Sequence, residues 1–184
     1  MKGLILAGGN SLRMGTDKAL LPYHGTPQYL YLQALLRNFC NEVFVSSKKV
    51  YPEANMLLDN EKYNEIGPIG GLLTAFDYSD SDWLVVAVDY PYITQDDLTQ
   101  LIHSKNKLAA VFYNPITNFY EPYIGLYKKE FREILLENYA QNVFSLQSIL
   151  MKKDIEKIVP FHIESITNVN TPEGFELISS AKNG

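Results

Sequence analysis

The chain has 184 residues, of which 46% are hydrophobic, enough for one core and consistent with a single domain over residues 1–184. Its formal charge of -5 excludes a general basic field for nucleic acid or anionic lipid, so any bound phosphate must be met by a local basic site. Cys40 is its single cysteine, which excludes an internal disulfide or a thiolate metal cluster.

Met1-Lys2-Gly3 leads directly into Gly3 to Ala7, the first of several short, β-rich apolar runs. That start is too short for a signal peptide. No run approaches the ~20 apolar residues of a membrane span. With the lone cysteine, these features point to a cytoplasmic protein that inserts in no membrane. Tyr29, Leu32, Leu35, Leu36 and Phe39 follow at helical spacing, with Cys40 closing the same stretch. Glu42 to Ser46 and Asn55 to Leu58 are the next predicted strands, and Ile69 to Tyr78 is a short apolar helix. Asp77 to Asp82 forms an acidic cluster that reads as a solvated helix-to-strand turn. Trp83 to Val88 is a further apolar strand. Thr94 then caps a helix with Asp96 and Asp97 in its first turn and Leu98, Leu101 and Ile102 on its apolar side. Leu108 to Tyr113 and Tyr123 to Leu126 read as strands, Glu130 to Tyr139 and Ser145 to Lys152 as helices, and Ile158 to Phe161 as a strand. The last helix is expected from Thr171-Pro172-Glu173, with threonine at the cap and proline at the first helical position. Strand-like and helical segments alternate in this way in α/β folds with a mostly parallel central sheet.

The residues richest in chemistry follow the first strand: Leu6-Ala7-Gly8-Gly9-Asn10-Ser11-Leu12-Arg13-Met14-Gly15-Thr16-Asp17-Lys18. Glycines let main-chain N–H groups approach a ligand closely, and such groups suit phosphate oxygens. Arg13 and Lys18 add two cations, so a polyanion is the natural guest. The loop is not the common NTPase loop, because Gly15 is followed by Thr16-Asp17 rather than Gly-Lys-Ser/Thr. Gly8-Gly9-Asn10 likewise breaks the dinucleotide fingerprint G-x-G-x-x-G.

This loop resembles the signature of the molybdenum cofactor guanylyltransferase family, within the wider nucleotidyltransferases of Rossmann-like fold. Asp17-Lys18-Ala19-Leu20-Leu21-Pro22 continues the likeness, and Gly67-Pro68-Ile69-Gly70-Gly71 resembles the family's second glycine motif. Asp89-Tyr90-Pro91 resembles its acidic motif, and Asn168-Val169-Asn170-Thr171-Pro172-Glu173 its C-terminal motif. The resemblance implies a Rossmann-like sheet with helices on both faces, and transfer of GMP from GTP to the terminal phosphate of molybdenum-loaded molybdopterin. It also implies partner proteins that make or deliver the molybdenum cofactor. Lys18 would neutralise the triphosphate with help from Arg13. Leu6, Ala7, Gly8 and Gly9 would line the nucleotide, and Ser46 stands where the family often has an asparagine near guanine. Asp59 would help hold the nucleotide, or be a strand-end turn residue. Gly67, Gly70 and Gly71 would let a helix start approach base or ribose, or pack closely. Asn168 and Asn170 would lie near the pterin, although Asn170 or Thr171 can equally cap the last helix. Two further departures are the bulky Tyr90 and the segment 139–143, which lacks the expected glycine and basic residue.

A phosphate nucleophile is already anionic at neutral pH, so such a transfer needs no general base. His24, His103 and His162 accordingly read as structural or surface residues. The reaction needs charge neutralisation instead. Mg²⁺ commonly takes one or two protein carboxylates, with waters and phosphate oxygens completing its shell. Asp89, carried to the end of an apolar strand, is the expected magnesium ligand and a catalytic residue beside Arg13 and Lys18, unless it merely caps the turn before Pro91. Enzymes using CTP on molybdopterin, or charging a sugar or polyol phosphate, would share the nucleotide half of this pattern. A non-catalytic nucleotide-binding module is the reading from another class.

Overall fold

The computed structural model describes residues 1–8, 17–63, 66–104 and 107–169. Its centre is a seven-stranded sheet of β1 (Lys2–Leu6), β2 (Val43–Ser47), β3 (Asn55–Leu58), β4 (Trp83–Ala87), β5 (Ala109–Asn114), β6 (Phe119–Tyr127) and β7 (Glu156–Ile158). The order is β3-β2-β1-β4-β6-β5-β7. Only β6 runs against its neighbours, so the sheet is mostly parallel. The helices are α1 (Gln28–Leu36), α2 (Pro68–Tyr78), α3 (Gln95–Ile102), α4 (Phe131–Ala140) and α5 (Leu146–Leu150).

Both faces of the sheet are covered. Alternate residues of a strand point to opposite faces. A Cβ added at Gly3 would sit 3.4 Å from Leu36 Cβ, which places α1 on the Gly3 and Ile5 face of β1. A Cβ at Gly71 would sit 2.8 Å from Leu6 Cδ2, which places α2 on the other face. This sandwiching explains why Leu4 to Leu6 and the whole of β4 are apolar and buried instead of alternating.

The predicted helix cap at Thr94 is a full capping box: Asp97 N donates to Thr94 Oγ1 at 3.3 Å, and Thr94 N donates to Asp97 Oδ2 at 2.8 Å. Elsewhere the boundaries differ from the sequence pattern. Strand β6 begins at Phe119, not Tyr123, with an irregularity between Val111 and Phe112 in its pairing with β5. Glu121 and Pro122 interrupt the apolar pattern there and hide the extension. The expected strand Ile158 to Phe161 is found at Glu156–Ile158, because Pro160 has no N–H to continue a ladder. Helix α5 is shorter than expected, starting after a Ser145 cap that accepts from Ser148 N.

The acidic cluster is a turn, but its charges are paired instead of merely solvated. Asp77 bonds Arg132 at 2.8 Å, Asp80 bonds Lys129 at 3.1 Å, and Asp82 bonds Lys128 at 3.0 Å. These pairs stitch the end of α2 to the start of α4. Cys40 lies beyond α1 instead of within it and is buried; burial pushes its thiol up to about 11. Among the described residues no helix is long and apolar enough to cross a membrane.

Candidate active site

The chain leaves β1 toward β2 on one side and leaves adjacent β4 toward β5 and β6 on the other. Neighbouring parallel strands whose connections diverge open a crevice beyond their carboxyl ends, where ligands bind in open α/β sheets. Ala7 and Gly8 emerge there from β1, Ser46 from the end of β2, Asp59 directly after β3, and Asp89 just after β4. Their spatial order is therefore Asp59, Ser46, Gly8, Asp89, following strands β3-β2-β1-β4. At about 4.8 Å per strand, the line from Asp59 to Asp89 covers about 14 Å.

At the β4 end, Lys18 Nζ donates to Asp89 Oδ1 at 3.0 Å. The lysine side chain is 11% exposed and the aspartate 32%. A low-dielectric setting strengthens such a charge-assisted bond relative to water. Lys18 opens a short 3-10 turn, Lys18–Leu20, capped by Asp17, whose carboxylate accepts from Ala19 N at 3.1 Å. Asp17 also accepts from Lys49 Nζ at 2.8 Å and from the Tyr51 hydroxyl at 3.0 Å. Burial, opposed by a Ser47 hydrogen bond and reinforced by the Asp17 charge, pushes the Tyr51 hydroxyl up to about 12, so it donates at neutral pH.

At the β2 and β3 end, Ser46 Oγ donates to Asp59 Oδ1 at 2.5 Å. A Cβ at Gly8 would stand 3.3 Å from Asp59 Oδ2, so Gly8, Ser46 and Asp59 converge. The three glycines of the second motif divide by role. Gly67 has φ of 71°, a conformation that favours glycine, and precedes Pro68 at the first position of α2. Gly70 and Gly71 serve close packing: an added Cβ would stand 2.7 Å from the Tyr63 carbonyl oxygen at Gly70 and 2.5 Å from Ser46 Oγ at Gly71.

Asn168 flanks the Asp89 turn. Val169 N donates to the Asp89 carbonyl at 2.9 Å, which brings Asn168 beside that turn. The buried Tyr90 hydroxyl donates to Glu121 Oε2 at 2.9 Å. Burial raises the Glu121 carboxyl above its ordinary range, with the Tyr90 bond pulling it back. His24 supports the same turn from below, with its Nε2 2.7 Å from the Pro91 carbonyl oxygen and its ring stacked on Tyr31 at 3.6 Å. Gly9, Arg13, Asn170 and the expected last helix lie outside the described residues. Of the other candidates, the structure joins Lys18 to Asp89 and Gly8 to Ser46 and Asp59. The sequence reading missed Lys49, Tyr51 and Glu121. Lys49 and Tyr51 carried one usable signal, since both follow a strand whose carboxyl end faces the same edge.

The family model of the MobA-like NTP transferase domain matches residues 3–155. A molybdenum cofactor biosynthesis bifunctional protein of Synechocystis is 33% identical over 96% of this chain and 53% of its own length. A molybdenum cofactor guanylyltransferase of Xanthomonas euvesicatoria is 42% identical over 60% of this chain and 58% of its own length. The matches thus span little more than half the length of each of these two relatives. Molybdopterin-guanine dinucleotide biosynthesis protein A from Archaeoglobus fulgidus has the same fold, with a TM-score of 0.80 at 18% identity over 100% of this chain and 99% of its own. The glycine-rich loop after β1, the acid after β4 and the match across most of the sheet agree: the chain belongs to the family of MobA-like NTP transferase domains.

Proposed function

We propose that this chain is a cytoplasmic nucleotidyltransferase that moves GMP from GTP to the terminal phosphate of molybdenum-loaded molybdopterin and releases pyrophosphate. The observation that carries the reading is the Lys18–Asp89 pair, at the crevice where the connections leaving β1 and β4 diverge. The names of the two relatives support an acceptor from molybdenum cofactor synthesis. The nucleotide lies along the sheet edge, with base and ribose toward Ser46, Asp59 and the start of α2, and phosphates toward Gly8 and Lys18. The Lys18 ammonium holds the triphosphate against the approach of a second anion, and backbone N–H groups of the glycine-rich loop, with Arg13, share that task. The acceptor phosphate oxygen forms its bond to the α-phosphorus as the bond to pyrophosphate breaks in line. No side chain has to remove a proton. Asn168, held beside Asp89 by the Val169 N–H, is assigned to the acceptor, with Asn170 two residues on.

Magnesium fits this donor set. Among the described residues no group of three or more His, Cys, Asp or Glu could hold a metal alone. Asp89, about one-third exposed, can offer one carboxylate to an ion that relies on phosphate oxygens and water for the rest. When bound there, Mg²⁺ supplies charge neutralisation to the phosphates. The test offers purified protein each of the four NTPs with magnesium and molybdenum-loaded molybdopterin, and identifies the dinucleotide and pyrophosphate formed. The guanine dinucleotide is expected. A cytosine dinucleotide would replace the base assignment, and no product with any NTP would end the proposal.

A further inference from the structure

The turn that presents Lys18 is held from outside the glycine-rich loop. Asp17 is only 13% exposed at its side chain, and a carboxylate so enclosed needs compensating donors. It receives the Ala19 N–H, the Lys49 ammonium at 2.8 Å, and the Tyr51 hydroxyl at 3.2 Å from Oδ1 and 3.0 Å from Oδ2. Tyr51 is itself fixed. It is buried, its ring lies 5.0 Å from that of Tyr29 in α1, and the Tyr29 hydroxyl donates to the adjacent Pro52 carbonyl at 2.9 Å. A continuous line of contacts therefore runs from α1 through Tyr51 and Asp17 to the turn bearing Lys18 and on to Asp89.

The arrangement solves an electrostatic difficulty. Asp17 is an anion one residue from the lysine that must meet a polyanion. Left loose, its carboxylate could turn onto the Lys18 ammonium or repel an incoming phosphate. Bound by Tyr51 and Lys49, it is neutralised and aimed at the cap.

We propose that Tyr51 and Lys49 are positioning residues of the triphosphate site, acting through Asp17 to set where the Lys18 ammonium stands. The inference rests on the proposed function for what Lys18 touches. Tyr51→Phe keeps the ring against Tyr29 and deletes only the donor. It is expected to raise the KM for the nucleotide and lower kcat, each roughly tenfold, while the acceptor KM stays within about twofold, because misplacing a binding group by under an ångström costs rate. Lys49→Met should move the same parameters less, and Lys49→Arg should restore most of the loss. Inorganic triphosphate, titrated calorimetrically, reports the site without base, acceptor or turnover, and should bind Tyr51→Phe several-fold more weakly than the parent. Parental nucleotide KM, kcat and triphosphate affinity in Tyr51→Phe, with or without a lowered Tm, would overturn the proposal. Should Tyr51→Phe fail to fold, the Lys49→Met and Lys49→Arg pair, at a largely exposed side chain, decides the same point. A parent that forms no product with any NTP ends the proposed function, while triphosphate affinity still decides the positioning role of Tyr51 and Lys49. A parent that binds no triphosphate ends both.

Discussion

Lys18 and Asp89 are 71 residues apart in the chain and 3.0 Å apart in space. Lys18→Ala removes the ammonium but leaves the Asp89 carboxylate hydrated, since Asp89 keeps about a third of its surface in water. Turnover should fall by about 10²-fold or more, in line with the loss of a group aimed at developing charge, while the far-UV circular dichroism stays parental. Unchanged turnover would remove the central assignment. Asp89→Asn keeps the shape but not the charge, so its magnesium-dependent activity should be lost. Superimposable magnesium titrations of variant and parent would place the metal elsewhere. Both residues were legible in the sequence because each sits in a short motif with its own local signal. Lys49 and Tyr51 were visible only as residues beyond the carboxyl end of β2, not as partners of Asp17. That partner lies 32 and 34 residues away, and no local spacing encodes a contact between the segments that follow different strands.

At the scale of elements, helix α2 comes unusually close to the sheet. Gly71→Ala would bring a Cβ to 2.5 Å from Ser46 Oγ and 2.8 Å from Leu6 Cδ2. The helix must shift outward, which should cost about 1–3 kcal/mol and lower Tm. The nucleotide KM should rise too, because Ser46 holds Asp59; a fall in Tm with an unaltered KM would separate packing from binding. The seam between α2 and α4 carries a pH prediction. Burial alone would raise Asp77, but the hydrogen bonds from Arg132 and Tyr63, with the Arg132 and Lys62 charges, outweigh it and hold the carboxyl below its ordinary 3.8. A folded-state pKa below the unfolded one gives stability that is complete above 3.8 and lost as pH falls through the folded value. Arg132→Ala should therefore flatten the acid limb of a Tm against pH curve, and an unchanged limb would deny the seam that role. Helix starts were readable where a cap announced them, as at Thr94. Strand ends were less so, because the β6 extension depends on pairing with β5 and the limit of β7 on Pro160.

At the scale of the whole molecule, the site is assembled from the ends of four parallel strands and exists only once β1, β2, β3 and β4 are aligned. Strand content and the mostly parallel character could be read from apolar runs. The order could not, because nothing local says that β6 inserts between β4 and β5 and so makes β4 the edge of the crevice. A ligand that needs this assembly binds only the folded chain. GTP at about one hundred times its Kd should thus stabilise the protein by roughly 2.7 kcal/mol, seen as a rise in Tm that shrinks in Lys18→Ala. No rise with any NTP would contradict a preformed nucleotide crevice. Cys40 offers an independent view of the same cooperativity from just before the amino end of β2, opposite the Ser46 end. With its thiol pushed up to about 11 and closed off by packing, it should resist alkylating reagents at neutral pH until the corner between α1 and β2 opens. As the chain's single cysteine, it gives one mass increment per molecule. The rate of that labelling is a built-in clock for local opening, and nucleotide should slow it only if the two ends of β2 open as one unit.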